Sequence, residues 1–376
     1  KVTSAQLNLG LLQNNGGSTP TIALGAGSAA IGTGNATISN ASPVNGLDQR
    51  GYNRTTSDVG AFAAGIAVTT TADTVDATDN LTSLREAITL ANTTPGNDNI
   101  SFLFPSGSAP YTITLSSALP AIVSANTVVG AGTAGTLNIN GLGASNLIID
   151  GNKGNFSIFS IASGGNLSIE DVTVTGANSF GNGGAFNNQG TLAISSSTLS
   201  SNTGNDGAAI RNDGTLTVSN LEFSNNSANN RAGAIYNTGT ATVTSSSFNT
   251  NTSGNQGGAI FNDGTLTISL SGFSANSTGN NGGAICQFSG SSILSITDST
   301  FSGNISNDGG AIRSDGTLTL SNSTLTSNVA TNNGGGLFNL GTAKITNSTF
   351  YGNTANSLGG AIRTGGIIEL SSSTFS

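Results

Sequence analysis

The sequence contains no histidine, no methionine and no tryptophan, and it has one cysteine among 376 residues. Without histidine, a Ser-His-Asp triad and a histidine-ligated metal site are both excluded. Cys286 alone cannot form a disulfide within the chain, nor can it build a cysteine-ligated zinc or iron–sulfur centre. The composition therefore removes the commonest forms of nucleophilic and transition-metal chemistry.

Charge is also scarce, because charged residues make up 7% of the chain, whereas about 25% is typical of globular proteins. Ten Lys and Arg against 18 Asp and Glu give a net charge of −8. The basic residues are dispersed, which argues against a nucleic-acid partner. No apolar run approaches the ~20 residues of a membrane-spanning helix. We therefore expect no membrane span in this segment, which begins at Lys1 and is interpreted as a mature or excised piece.

What the sequence does contain, from about residue 180, is a repeat spaced by about 25 residues. Each repeat has a Gly-Ala-Ile step, an Asx-Gly turn, a Thr-rich strand and a Phe-x-x-Asn element. The aromatic position is occupied by Leu199, Phe223, Phe248, Phe273, Phe301, Leu325, Phe350 and Phe375. The asparagine three residues later is Asn202, Asn226, Asn251, Asn276, Asn304, Asn328 or Asn353.

The repeat unit contains short alternating strands between Gly, Asn and Asp turns and no helical periodicity. This pattern predicts an all-β fold, a right-handed parallel β-helix with about 25 residues per turn over residues 105–376. Stacking of equivalent residues predicts an interior ladder of phenylalanines and a hydrogen-bonded ladder of asparagines. Both ladders are interpreted as structural elements.

Residues 67–104 interrupt the strand pattern and are predicted to form a linker strand and one short capping α-helix. Ser83 followed by Glu86 is a capping box at the start of a helix. Leu84 and Ile88 lie on one apolar face of that helix. We therefore expect the helix to cover the open hydrophobic end of the solenoid.

Two family resemblances follow from these residues. Thr82–Ile88, with 96–102 after it, resembles the opening motif of CSLREA-type domains, except that Thr82 stands where that family has cysteine. The Gly-Gly-Ala-Ile and Phe-x-x-Asn repeats resemble those of polymorphic outer-membrane adhesins. Residues 1–66 resemble the C-terminal segment of a preceding module or an inter-module strand region. Both resemblances imply a secreted, extracellular β-helical protein of a bacterial cell surface.

Enzymatic function is not expected. Arg211 with Asp213 and Arg313 with Asp315 are repeat-equivalent pairs, and a catalytic group would normally occur once. No cofactor is expected either, with calcium left as an alternative at Asp73, Asp76 and Asp79, whose oxygens suit that ion. The other interpretation of these aspartates is a solvated acidic loop that favours the helix N-terminus.

The expected function is a structural or adhesive component of the cell surface, as a unit of a fibre or of a long tandem-module protein. Because the repeat stops at Ser376 before its next asparagine, we expect an uncapped coil that stacks head to tail on another copy or an adjacent module. One alternative is an adhesin module that binds a surface glycan or receptor. Another alternative is ice binding by an array of outward threonine pairs. The pairs are Thr215/Thr217, Thr240/Thr242, Thr265/Thr267 and Thr317/Thr319. Ala193, Lys344 and Glu369 interrupt this array at equivalent positions.

Overall fold

The computed structural model describes residues 9–13, 21–24, 29–30, 66–93, 97–104, 108–123 and 135–376. From Ile66 onward the described chain forms a β-solenoid in which every sheet is parallel, and this confirms the predicted parallel β-helix. Most of residues 1–66, interpreted above as the end of a preceding module, lies outside the described residues. Within that segment, Leu9–Gln13 and Thr21–Leu24 pair as an antiparallel hairpin.

A regular turn of the solenoid contributes one strand to each of four sheets, which we number in the order in which the chain visits them. Sheet 1 has twelve strands: Ile66–Val68, Asp98–Phe102, Leu137–Asn140, Asn166–Glu170, Thr191–Ser195, Thr215–Ser219, Thr240–Thr244, Thr265–Ser269, Ile293–Thr297, Thr317–Ser321, Thr342–Thr346 and Ile367–Ser371. Sheet 2 has eleven: Tyr111–Thr114, Leu147–Asp150, Thr173–Thr175, Thr198–Ser200, Glu222–Ser224, Ser247–Asn249, Gly272–Ser274, Thr300–Ser302, Thr324–Thr326, Thr349–Tyr351 and Thr374–Phe375.

The other two sheets complete the turn. Sheet 3 has eight strands: Asn178–Asn182, Thr203–Asp206, Ser227–Arg231, Thr252–Ser253, Ser277–Thr278, Ile305–Asp308, Val329–Asn333 and Thr354–Ala355. Sheet 4 has nine: Phe159–Ile161, Phe186–Asn188, Ile210–Asn212, Ile235–Asn237, Ile260–Asn262, Ile285–Gln287, Ile312–Ser314, Leu337–Asn339 and Ile362–Thr364.

Alternation along each strand of sheet 1 separates the core from the surface. In Thr215–Ser219, Leu216 and Val218 are buried, whereas Thr215 and Thr217 are exposed. The strand pairs with Thr240–Thr244 residue by residue and without a register shift. Because a slip of one residue would move Leu216 to the surface, the apolar pattern holds the register of the whole sheet.

The phenylalanine ladder runs through the interior behind sheet 2. Phe223, Phe248 and Phe273 stack with ring centroids 4.5 Å apart, and Phe301 follows at 4.7 Å. All four rings are at most 1% exposed. Phe375 stacks 5.1 Å from the buried Phe350, but Phe375 itself is 43% exposed because its coil is the last of this segment.

Truncation within the ladder should unfold the solenoid at lower temperature. We expect Phe248→Ala or Phe273→Ala to lower the free energy of unfolding by about 3–5 kcal/mol, because each removes a fully buried ring and leaves a cavity. Thermal melts followed by circular dichroism measure the effect. Phe180→Ala is the matched control, because Phe180 is 67% exposed. An unchanged melting curve for both buried variants would contradict the described register.

Candidate functional site

The helix Leu84–Ala91 begins at a complete capping box, as the sequence predicts. The Ser83 hydroxyl accepts a hydrogen bond from the Glu86 amide, and the Glu86 carboxylate accepts one from the Ser83 amide. Leu84 and Ile88 are at most 1% exposed and belong to the same core as Val68 of sheet 1. The helix lies in the chain between the first two strands of sheet 1 and packs against both of them.

An ion pair joins this helix to the loop before it, and hydrogen bonds of the same two residues reach the segment before the next coil. Arg85 donates to both carboxylate oxygens of Asp73, at 2.9 Å each, and also to the Ser117 carbonyl at 2.9 Å. The amide and hydroxyl of Ser116 donate to Asp73 as well. Burial by itself raises the pKa of Asp73, but the hydrogen bonds from Arg85 and Ser116 outweigh it, so the pKa lies below the ordinary value of 3.8.

The three aspartates proposed above as calcium ligands have separate hydrogen-bonding roles. Asp73 is occupied by Arg85, Asp76 accepts from the amide and hydroxyl of Thr78, and Asp79 accepts from the Leu81 amide. The bonds from Thr78 lower the pKa of Asp76. Among the described residues, no three Asp, Glu or Cys side chains come together as a metal-binding group. The Asp73 side chain is buried in its ion pair with Arg85, which differs from a solvated acidic loop, and calcium binding at these aspartates stays a prediction.

A charge on the apolar face of the helix should expose the end of the solenoid. We expect Leu84→Asp or Ile88→Asp to cause aggregation, because an uncovered coil presents unpaired strand edges. Size-exclusion chromatography with light scattering measures it. Leu90→Asp is the control, because Leu90 is 51% exposed on the opposite face. If all three variants stay equally soluble and stable, the helix is not a cap.

The Asp73–Arg85 pair should make stability depend on acidity. A lowered folded-state pKa contributes stability that is fully present above the unfolded value of 3.8 and is lost as the pH falls through the folded value. We expect Asp73→Asn to cost about 2 kcal/mol at pH 7, because Arg85 loses charged hydrogen bonds. We also expect the variant to lose less stability than the native chain on acidification. Melts from pH 7 to pH 2 measure both effects, with Asp79→Asn as control, and parallel pH profiles would contradict the role of Asp73.

The predicted asparagine ladder lies at the corner between sheets 2 and 3. Each side-chain amide donates to the carboxamide oxygen of the next asparagine at 2.8–3.0 Å, from Asn202 to Asn353. The same amide also donates to a main-chain carbonyl, as Asn251 does to Phe223. Asn202 through Asn328 are fully buried, so their hydrogen bonds are internal and offer nothing to a ligand.

Two further polar ladders were missed by the sequence analysis. At the corner between sheets 4 and 1, Asn188, Asn212, Asn237 and Asn262 donate to one another at 2.6–2.7 Å. At the corner between sheets 1 and 2, buried serine hydroxyls accept from the amide of the preceding coil, as Ser271 does from Ser246. The signal was present, because a serine stands two residues before most Phe or Leu positions of the repeat: Ser197, Ser246, Ser271, Ser299, Ser323, Ser348 and Ser373.

The outer surface of sheet 1 is a hydroxyl face. We define it by the outward residues of the strands from Thr191–Ser195 to Thr317–Ser321. All of these outward residues are threonine or serine except Ala193 and Ile293. The hydroxyl face ends at the next two strands, where the outward residues Lys344 and Glu369 form an ion pair at 3.2 Å.

Several charged pairs lie on the outer surface of sheet 4 and at its two edges. Arg211 pairs with Asp213 at 2.7 Å and Arg313 with Asp315 at 3.0 Å, so the repeat-equivalent pairs are ion pairs. Arg231 pairs with Asp206 and lies 4.7 Å over the ring of Tyr236. With their charges paired, these groups are poor candidates for acid–base catalysis.

A small second core lies under that arginine layer. Tyr236 stacks on Phe261 at 5.1 Å, and Ala232 and Cys286 complete the cluster. The loop before sheet 4 can fold back over it because of residues such as Gly257, whose φ is +66° and whose added Cβ would lie 2.2 Å from the Ile260 carbonyl oxygen. Burial raises the pKa of both Tyr236 and Cys286, so the Cys286 thiol stays protonated and unreactive.

A scan against protein families matches three segments of the chain, residues 220–238, 298–315 and 347–365, to the Chlamydia polymorphic membrane protein repeat. The repeat is similar to that of the chlamydial polymorphic membrane proteins. Each matched segment runs through the strands of sheets 2, 3 and 4, with the Phe or Leu position, the ladder asparagine and the Gly-Ala-Ile step. The comparison with curated proteins found no significant match. The resemblance of 82–102 to CSLREA-type domains stays a prediction from sequence.

The polymorphic-membrane-protein-like repeats thus coincide with architectural residues. The side chains that they share, Phe223 and Asn226 in the first match, are buried in ladders. Any residue that contacts a partner must therefore lie on the outer faces, where the repeats differ from one another. Within the described ranges, no helix is long and apolar enough to span a membrane.

Proposed function

We propose that this chain is a structural and adhesive element of a bacterial cell surface without catalytic activity. The observation that carries the proposal is the match of three coils to the repeat of the Chlamydia polymorphic membrane proteins, whose name places them at a membrane. The charged pairs on sheet 4 support a non-catalytic role, because Arg211–Asp213 and Arg313–Asp315 repeat as architecture does.

The shape of the solenoid suits a spacer, a stiff rod that holds its own outer faces at a distance from the cell membrane. The twelve strands of sheet 1 have eleven spacings of about 4.8 Å between them, which give a rod roughly 53 Å long. Parallel pairing connects each coil to the next, and the buried polar ladders add hydrogen bonds between many of the regular coils, so bending the rod would break several hydrogen bonds at once. Stiffness and resistance to proteolysis follow from this continuity.

We also propose that like units stack end to end on the cell surface. Successive coils meet through parallel main-chain pairing and the same apolar interior, so one coil is a ready-made partner for an equivalent coil of another unit. Such contacts are heterologous and generate a filament. Cryo-electron microscopy of native surface material is the test, with a fibre of ~4.8 Å axial repeat expected and isolated single modules as the contrary result.

Surface exposure of the protein tests the main proposal. We expect antibodies raised against residues 135–376 to label intact cells, and external protease to remove the label without lysis. A cytoplasmic enzyme of the same cells serves as the control for integrity. Labelling only after lysis would contradict a surface location. Binding of purified protein to host cells or matrix is measured separately. If the cells are labelled but the purified protein does not bind, the structural role stands and adhesion is excluded.

The hydroxyl face supports ice binding as a second candidate. From Thr191 to Ser321 it is free of charge and in unbroken register across six strands, and Ala193 and Ile293 are its two positions without a hydroxyl. Measurement of ice recrystallisation and thermal hysteresis with purified protein separates this candidate from the first. Thr267→Lys at the centre of the face should abolish an ice effect, and native protein without any effect would eliminate the candidate.

A further inference from the structure

One corner between sheets 4 and 1 departs from all its equivalents. Elsewhere between Asn188 and Ile367 this corner has two residues, such as Asp263 and Gly264, whereas the loop 288–292 has five. The loop leaves the sheet register intact, because Thr265 still pairs with Ile293. Repeated features of this fold are architectural, so a feature that occurs once is where specific function is expected.

The register places Phe288 between two aspartates of the neighbouring coils. The Phe288 amide donates to the Asn262 carbonyl at 3.2 Å, and the Asp315 amide donates to the Gln287 carbonyl at 2.9 Å. Phe288 therefore occupies the position that Asp263 has one coil earlier and Asp315 one coil later. Its side chain is 46% exposed, and its ring lies 6.2 Å from the buried ring of Phe261.

Asp263 lacks the arginine that its equivalents have. Asp213 and Asp315 pair with the arginine two residues earlier, but at that position Asp263 has Phe261. The Oδ1 atom of Asp263 is buried and has no hydrogen-bond partner. A buried carboxylate oxygen without a donor is costly, so a rotation of the Asp263 side chain that brings Oδ1 to a ligand donor at the surface would relieve that cost.

The loop is held in place before any ligand arrives. The Gln287 side-chain amide donates to the Ser292 carbonyl at 2.7 Å and to the Thr317 carbonyl at 3.1 Å, and the Ser292 hydroxyl donates back to the Ser289 carbonyl at 2.6 Å. Gln287 replaces a ladder asparagine here, and its longer side chain spans the longer loop. Such preorganisation lowers the entropic cost of binding.

We propose that Phe288, Asp263 and the serines of this loop form a binding subsite for a neutral saccharide, an inference that rests on the adhesive role proposed above. A sugar ring has an apolar C–H face, which packs on an exposed aromatic ring, and hydroxyl donors, which a carboxylate accepts. The negative charge of the Asp263 carboxylate disfavours anionic sugars, although Arg231 also attracts that carboxylate. The Ser289 and Ser291 hydroxyls, 3.0 Å apart, add further hydrogen-bonding groups at the rim.

The repeat supplies matched controls for the test. Purified native protein is applied to an array of neutral galactosyl, glucosyl, mannosyl and N-acetylglucosaminyl oligosaccharides with sialylated counterparts, and hits are titrated by calorimetry. We expect Phe288→Ser and Asp263→Asn each to weaken binding at least tenfold. Leu340→Ser and Asp213→Asn, at the equivalent positions of other coils, should leave affinity within twofold of native.

Each outcome decides the proposal. Loss of binding in the two site variants only, with unchanged circular dichroism melts, supports it. Absence of binding to every neutral oligosaccharide overturns the proposal. Equal binding by all variants, or a preference for sialylated sugars, overturns it as well. Antibody labelling of intact cells does not depend on Phe288. If saccharide binding fails, the proposed surface location therefore still stands, and a failure of the proposed surface location is detected by the labelling experiment alone.

Discussion

Everything in this molecule depends on main-chain hydrogen bonding between successive coils in a fixed register. Each coil is too thin to bury its own apolar face, and its backbone groups find partners only in the coils above and below. Once Leu216 lies over Leu192 and under Ala241, the residues at every corner must also lie over their equivalents. The Phe stack, the asparagine ladders and the serine ladder are consequences of that single constraint, and they explain why so few charges are needed at the surface.

The sequence predicted the parts of the fold that repeat and the parts that have a local signature. The aromatic and asparagine positions recur every coil, and the Ser83–Glu86 capping box is a short-range pattern, so both could be located without coordinates. The serine ladder was equally periodic but was overlooked, because serine is abundant in this chain and its recurrence does not stand out. Handedness of the coil and the membership of residues 1–66 stay predictions.

The candidate binding site could not be predicted in the same way. Phe288 and Asp263 are 25 residues apart, and nothing local shows that one occupies the position directly above the other. The missing arginine at Phe261 is visible in the sequence, but its consequence, a buried oxygen without a donor, depends on packing by neighbouring coils. Sequence periodicity identifies what is shared among coils, whereas the proposed binding subsite depends on how one coil differs from the rest.

The loop 288–292 also shows how this fold can change. Three extra residues enter one corner, and the strands on both sides keep their pairing, because Gln287 reaches across the gap that a ladder asparagine would leave. Each coil has an equivalent corner, so the scaffold offers a row of positions spaced by about 4.8 Å where loops of new sequence could be inserted. A solenoid of this kind could therefore diversify its surface loop by loop, and the same corners are natural sites for displaying peptides at defined intervals.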